Sequence, residues 1–298
     1  MSENPEFLSE TMEKLEKLMS RVDELIEPVQ TVRLKPKRGK TTVFDSKMGG
    51  VPYFPKSMKY PVVREGDYKG KPLYFLAQLN FGTLPKLPGF PTEGILQFFT
   101  GCADDDVYGM DFKDGQSQNG FRVIFHENVI MDTSELYSGK DMPDFGGEIY
   151  LPFKGEFLLT AEKAEPMGIS TGDFRCDKIV TAAYNELFGG NVDGMWGKLG
   201  IRDVDKELVD AIYDSRDSTG TRMGGFPFFT QEDPRGYDEG YGKCTVMLFQ
   251  SDSENGGDSN SSDDEILWGD CGVANFFISP EDLAKRDFSK VLFNWDCC

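Results

Sequence analysis

The chain has 298 residues, 39% of them hydrophobic, enough to bury a substantial core in one large domain or two intimate ones. Its formal net charge is −19, unevenly spread: residues 1–100 carry 15 Lys/Arg against 12 Asp/Glu, and the remainder carries 17 against 39. That balance argues against nucleic acid, whose phosphates need clustered positive charge, and suits either simple solubility or a basic protein partner.

Neither an apolar leader core nor a run of 18 apolar residues occurs, so no signal peptide and no membrane helix is expected. The six cysteines, Cys102, Cys176, Cys244, Cys271, Cys297 and Cys298, form no C-x-x-C, and the vicinal pair would make an awkward disulfide. Reduced thiols in a cytoplasmic protein are the expectation.

In chain order, residues 5–27 predict a helix. Leu8, Met12, Leu15, Met19, Val22 and Ile26 repeat at helical spacing, with Asn4 as cap, Pro5 at the first position and Pro28 after the end. A basic run, Arg33 to Lys40, follows as a solvated strand or connector. Its Gly39-Lys40-Thr41 fails as a phosphate loop because position 34 is Leu.

Lys47-Met48-Gly49-Gly50-Val51-Pro52-Tyr53-Phe54-Pro55 then returns 175 residues later as Arg222-Met223-Gly224-Gly225-Phe226-Pro227-Phe228-Phe229-Thr230, identical at five of nine positions. Each copy leads to an apolar run containing a glutamine, Leu73 to Gln78 and Val246 to Gln250. The Gly-Gly-x-Pro element reads as a tight turn entering the first strand of each half, and the echo implies two related halves.

Strands are expected at 73–81, 95–100 and 121–130, a strand pair at 149–160, and helices at 174–187 and 205–215. Ser251 to Asp264, without an apolar residue, reads as a solvated loop. Ser279-Pro280-Glu281-Asp282 opens a short helix, and 291–298 reads as a docked strand.

For chemistry, one histidine, His126, and no paired cysteines make zinc improbable. Asp104-Asp105-Asp106 with Asp111 and Asp114 offers oxygen ligands but lacks the spacing of a calcium loop, so no metal and no cofactor is assigned. His126 reads as a structural strand residue. The candidate ligand-binding residues are Gln78 and Gln250, closing corresponding strands; Asp233 and Arg235, in an Asp-Pro-Arg turn; Trp268, able to stack a flat ligand; and Asp270, between glycines.

Several segments together resemble a known family. They are the two Gly-Gly-x-Pro copies, Leu76 to Phe81, Gly94 to Phe99, Asp104 to Gly109, Thr230 to Arg235, Trp268 to Ile278 and Phe293 to Cys297. The chain resembles the YwqG-like proteins of the DUF1963 group from about residue 45 onward. The resemblance implies an α+β fold with internal duplication and no transferable catalytic residue.

The expected protein is therefore α+β, with two related halves containing antiparallel sheets and a long N-terminal helix. Residues 1–44 form helix and basic connector, 45–170 the first half and 171–298 the second, in one compact body. The expected function is a soluble binding or interaction protein engaging a basic protein through its acidic surface. The alternative is a hydrolase-type enzyme with a cleft between the halves.

Overall fold

The computed structural model describes residues 5–104, 107–256 and 265–298. The first element, α1, is Pro5–Leu25. Its buried stripe is Leu15, Leu18, Met19 and Val22, whereas Met12 is 53% exposed. The stripe is thus turned from the expected one, because Leu18 faces the helical layer formed by α2 (Cys176–Phe188) and α4 (Lys206–Ser215). Gly189 ends α2 in the left-handed region, and the Asp205 side chain caps α4 by accepting the Leu208 N–H. A single turn, α3 (Ile201–Val204), precedes α4.

The basic run is a central strand rather than a connector. Along β1 (Val29–Arg38), Val32, Leu34 and Pro36 point inward while Lys35 and Lys37 face solvent, the period-2 pattern of a half-buried strand. The other strands are β2 (Lys47–Gly49), β3 (Tyr74–Asn80), β4 (Ile95–Thr100), β5 (Phe121–His126), β6 (Glu156–Ala161) and β7 (Glu165–Met167). They continue with β8 (Arg222–Gly224), β9 (Val246–Asp252), β10 (Glu254–Asn255), β11 (Glu265–Ile266), β12 (Val273–Ile278) and β13 (Leu292–Asp296).

One antiparallel sheet runs β13-β12-β9-β8-β1-β6-β2-β3-β4-β5, with β7 beside β1. β1 bridges its two wings, pairing β8 through Thr31–Arg33 and β6 through Leu34–Arg38. The sheet is nearly barrel-shaped. Phe98 of β4 stacks on Phe249 of β9, with centroids 5.1 Å apart, and lies 4.7 Å from Phe276 of β12; Phe121 and Phe293 are 5.2 Å apart. The abundance of Phe is explained by this seam, where large rings fill the space between facing walls.

Three expectations need correction. The Gly-Gly pairs do not enter a strand; they end β2 and β8, with φ of 65° and 70° at Gly49 and Gly50, and 67° and 73° at Gly224 and Gly225. A Cβ on Gly49 would lie 2.3 Å from the Gly155 carbonyl, so neighbouring backbone enforces glycine there. Residues 149–160 give one strand, β6, preceded by an isolated Phe153–Ile266 bridge. Ser251 and Asp252 are not loop residues but the buried end of β9, and β10 pairs β11; residues 257–264 of that expected loop lie outside the described ones. Ser279 caps α5 (Pro280–Ala284) as its pattern implied. Among the described residues no helix is long and apolar enough to cross a membrane.

Candidate functional site

The two glutamines do the same job in each wing. Gln78 accepts the Tyr53 N–H at 2.9 Å and donates to the carbonyls of Val43 and Asp45 at 2.9 and 2.8 Å. Gln250 accepts the Phe228 N–H at 2.8 Å and donates to Ser218 and Gly220 at 2.8 and 2.9 Å. Their cross-strand partners complete the match: Gln97 donates to the Tyr53 carbonyl at 2.5 Å and Asn275 to the Phe228 carbonyl at 2.8 Å. All four amides are fully buried. They satisfy backbone that the short β2 and β8 ladders leave unpaired, which is why buried amides stand in otherwise apolar strands. Each wing also carries a bulge two residues before its glutamine, at Leu76 and at Leu248.

Asp233 and Arg235 do meet. Asp233 caps the turn Pro234–Gly236 through the Arg235 N–H, and the Arg235 guanidinium bonds Asp233 at 2.6 Å and Asp173 at 3.0 Å. Arg175 grips Asp173 from the other side at 2.7 and 2.8 Å. The Arg235 guanidinium lies 4.1 Å from the Phe277 ring centroid, and its side chain is 1% exposed. Burial pushes the Asp173 carboxyl up, but Arg175 and Arg235 outweigh it and hold the group below the usual carboxylate range. Asp173 lies 62 residues before Arg235, and no sequence signal linked the two.

The remaining candidates are scattered. Trp268 is fully buried and donates to Ser251 Oγ at 3.1 Å. Asp270 is exposed on the turn before β12. None of the six candidates lines the cavities described below. His126 is buried, 2.7 Å from Gln97 Oε1 and edge-on to Tyr53, and burial pushes its imidazole down to about 4. Among the described residues no group of three or more His, Cys, Asp or Glu is placed to hold a metal ion; Asp105 and Asp106 lie outside those residues.

A groove of about 440 Å³ opens beside Asp104, Val107 and Gly109. One wall is the hairpin around residues 63–71, closed by Val63 N–H to Lys71 O at 2.9 Å and stapled by Asn119, whose Oδ1 accepts the Arg64 and Glu65 N–H groups. Its floor holds Gly101, Cys102 and Gly120, and its apolar lining includes Val63, Tyr68, Met110 and Phe112, the last 79% exposed. Glu65, Asp67, Asp104 and Asp111 line it against Lys71 and Lys113. Tyr68 Oη reaches Asp104 at 3.4 Å, and the nearby Asp104 charge raises the phenol above its ordinary value.

Backbone crowding shapes this groove. Tyr108 has φ 43° and Gly109 φ 81°, and a Cβ on Gly109 would lie 1.8 Å from the Gly120 carbonyl. The Tyr108 ring beneath is held edge-on by Trp268 at 5.1 Å and Trp295 at 4.9 Å. Trp268 therefore supports the groove from the opposite wing instead of stacking a ligand in it. Sequence reasoning singled out Asp104 but not the 63–71 hairpin facing it, because their meeting is a tertiary event.

No curated protein matches the chain. The family described as "Domain of unknown function (DUF1963)" matches residues 46–297, which takes in both Gly-Gly-x-Pro copies, the groove and the Asp233–Arg235 turn. With so much of its length matched, the chain belongs to the DUF1963 family.

Proposed function

We propose that this chain is a binding protein whose groove takes an apolar side chain of a basic partner segment. The observation that carries the reading is the groove's make-up: exposed Phe112 and Tyr68 with buried Val63, ringed among the described residues by four carboxylates and two lysines. An apolar slot supplies affinity through burial, and a negative rim steers and selects a cationic segment. The Asp173–Arg235 network and the four amides are committed to internal partners, which supports a structural role for them and turns attention to the groove.

We also infer a duplicated architecture, each wing a β-meander whose short first strand ends in Gly-Gly-x-Pro. It is supported by the matched glutamine bonds and matched bulges. The same repeat supports placement with the YwqG-like members of the family.

The test is fluorescence anisotropy with Lys/Arg-rich peptides carrying a single Leu or Phe. Binding is expected at about 50 mM salt and should weaken at about 500 mM as screening grows. Phe112→Ala and the double variant Glu65→Lys, Asp67→Lys should each reduce it. Equal binding of a matched acidic peptide, or no binding at low salt, overturns the proposal.

A further inference from the structure

The two copies of the repeat differ in what stands across the sheet from the turn that follows their opening cation. In the first, Lys47 is 1% exposed and bonds Val51 O and Thr41 Oγ1, while Thr41 bonds Glu156 at 2.5 Å. Glu156 stands on β6 directly opposite Gly49. In the second copy the residue opposite Gly224 is Thr31, which carries no charge and donates to the Met223 and Gly224 carbonyls.

Arg222, 7% exposed, is left with the carbonyls of Gly220 and Thr219 and the Met167 sulfur. Among the described residues no carboxylate forms an ion pair with it, and the nearby ones are engaged elsewhere. Asp217 accepts from Thr219, Asp252 from the Gly220 and Ser253 N–H groups, and Glu254 from Arg33 and the Thr221 N–H. Asp217, Asp252 and Glu254 attract Arg222 from nearby, but none is hydrogen-bonded to it. A buried guanidinium without such a bond is a costly arrangement that a ligand would relieve.

Arg222 also lines a polar cavity of about 570 Å³, with Arg33, Lys35 and Arg216 around it. Arg216 is paired with Asp23, Lys35 with Glu162 and Arg33 with Glu254, so of the four cations only Arg222 has no ion pair among the described residues. Glu162, Glu165 and Asp217 share the lining and would repel a dense polyanion. A single anionic group on a larger molecule suits the space better than a free multivalent ion.

We propose that this cavity binds a molecule through one phosphate or carboxylate group seated on Arg222, with Arg33 beside it. The planar guanidinium fork matches either group. The site is separate from the acidic groove and needs no catalytic step.

The experiment is thermal unfolding and titration calorimetry of the full chain with phenyl phosphate and with benzoate, each a single anionic group on a larger body, against chloride at equal ionic strength. Wild-type protein should show a concentration-dependent rise in Tm with at least one, and the stronger arm names the source chemistry. Arg222→Met should weaken that binding by at least about tenfold, as expected for losing a charged hydrogen-bonding partner. Thr31→Glu, which restores the carboxylate found in the first copy, should raise Tm without added anion and abolish the response. A wild-type protein indifferent to both anions, or a Thr31→Glu variant that responds as wild type does, overturns the proposal.

Discussion

Cys271 and Cys298 face each other with their sulfurs 2.6 Å apart, although 27 residues separate them in the chain. The β12–β13 register pairs Val273 with Asp296, so two further positions along each chain bring Cys271 opposite Cys298. Both are exposed, while Cys297, next to the second, packs against the core. Oxidised glutathione should therefore convert this pair, and not Cys297–Cys298, to a disulfide by two exchange steps that release two reduced glutathiones. Closing a loop of this length adds about 3.5 kcal/mol in the chain-entropy picture, seen as a Tm rise reversed by dithiothreitol. Thiol titration should fall by two in wild type, and the Tm response should vanish in Cys298→Ser. Retention of every thiol would sink the prediction.

Arg235 neutralises Asp173 and Asp233 at once, all three side chains being at most 3% exposed. Arg235→Met should cost about 3–5 kcal/mol, because it strands the buried Asp233 carboxylate and leaves Asp173 to Arg175 alone. Asp173 is held below the ordinary carboxylate range, so its contribution is present above its unfolded value near 3.8 and is lost as pH falls through its lower folded value. Urea midpoints for wild type and Asp173→Asn should thus differ most at neutral pH and converge in strong acid. A constant difference would contradict this.

His126 gives acid sensitivity in a higher window. Its folded value is near 4 against 6.5 in the unfolded chain, so between those values the unfolded state binds the extra proton and stability falls with pH. The loss amounts to roughly 3 kcal/mol by about pH 4. His126→Gln should flatten the stability profile between pH 6.5 and 4 relative to wild type. Parallel profiles would remove His126 as the cause.

Gln78→Ala and Gln250→Ala should each cost about 2–4 kcal/mol, since each leaves one buried N–H and two carbonyls without their partner. Matched losses in chemical denaturation are expected from matched bonds. A large cost on one side only would show that the two wings bear load differently.

Gly109→Ala and Gly89→Ala separate strain from collision. Both glycines have positive φ, 81° and 79°, but a Cβ on Gly89 meets nothing within 4 Å. Gly89→Ala should cost about 1 kcal/mol from backbone strain alone. Gly109→Ala must also move the Gly101 and Gly120 backbone, so it should destabilise more and shift the tryptophan emission through Tyr108. Equal stabilities would mean the loop yields easily.

Local pattern carried the reading of the elements a long way. The strands at 73–81 and 95–100 and the helices at 174–187 and 205–215 emerged within a few residues, because apolar spacing and glycine or serine caps act over one or two turns. The Asp-Pro-Arg turn and the polar burden on Gln78 and Gln250 were legible for the same reason: a buried amide or an Asp before Pro has few ways to be satisfied. β1 was harder, since Lys35 and Lys37 mask an alternation that only matters once Val32 and Leu34 have a core to face.

What spacing along the chain could not reveal is which distant segments meet. Arg235 finds Asp173, Cys271 finds Cys298, and Thr31 stands opposite Gly224 while Glu156 stands opposite Gly49, each across separations that no short-range propensity spans. Composition and periodicity settled that this chain would be a mixed, Phe-packed, strand-rich protein with a repeated motif. The curling of the sheet decided where charge is balanced and where it is left open, because pairing at long separation is selected by burial summed over the whole core.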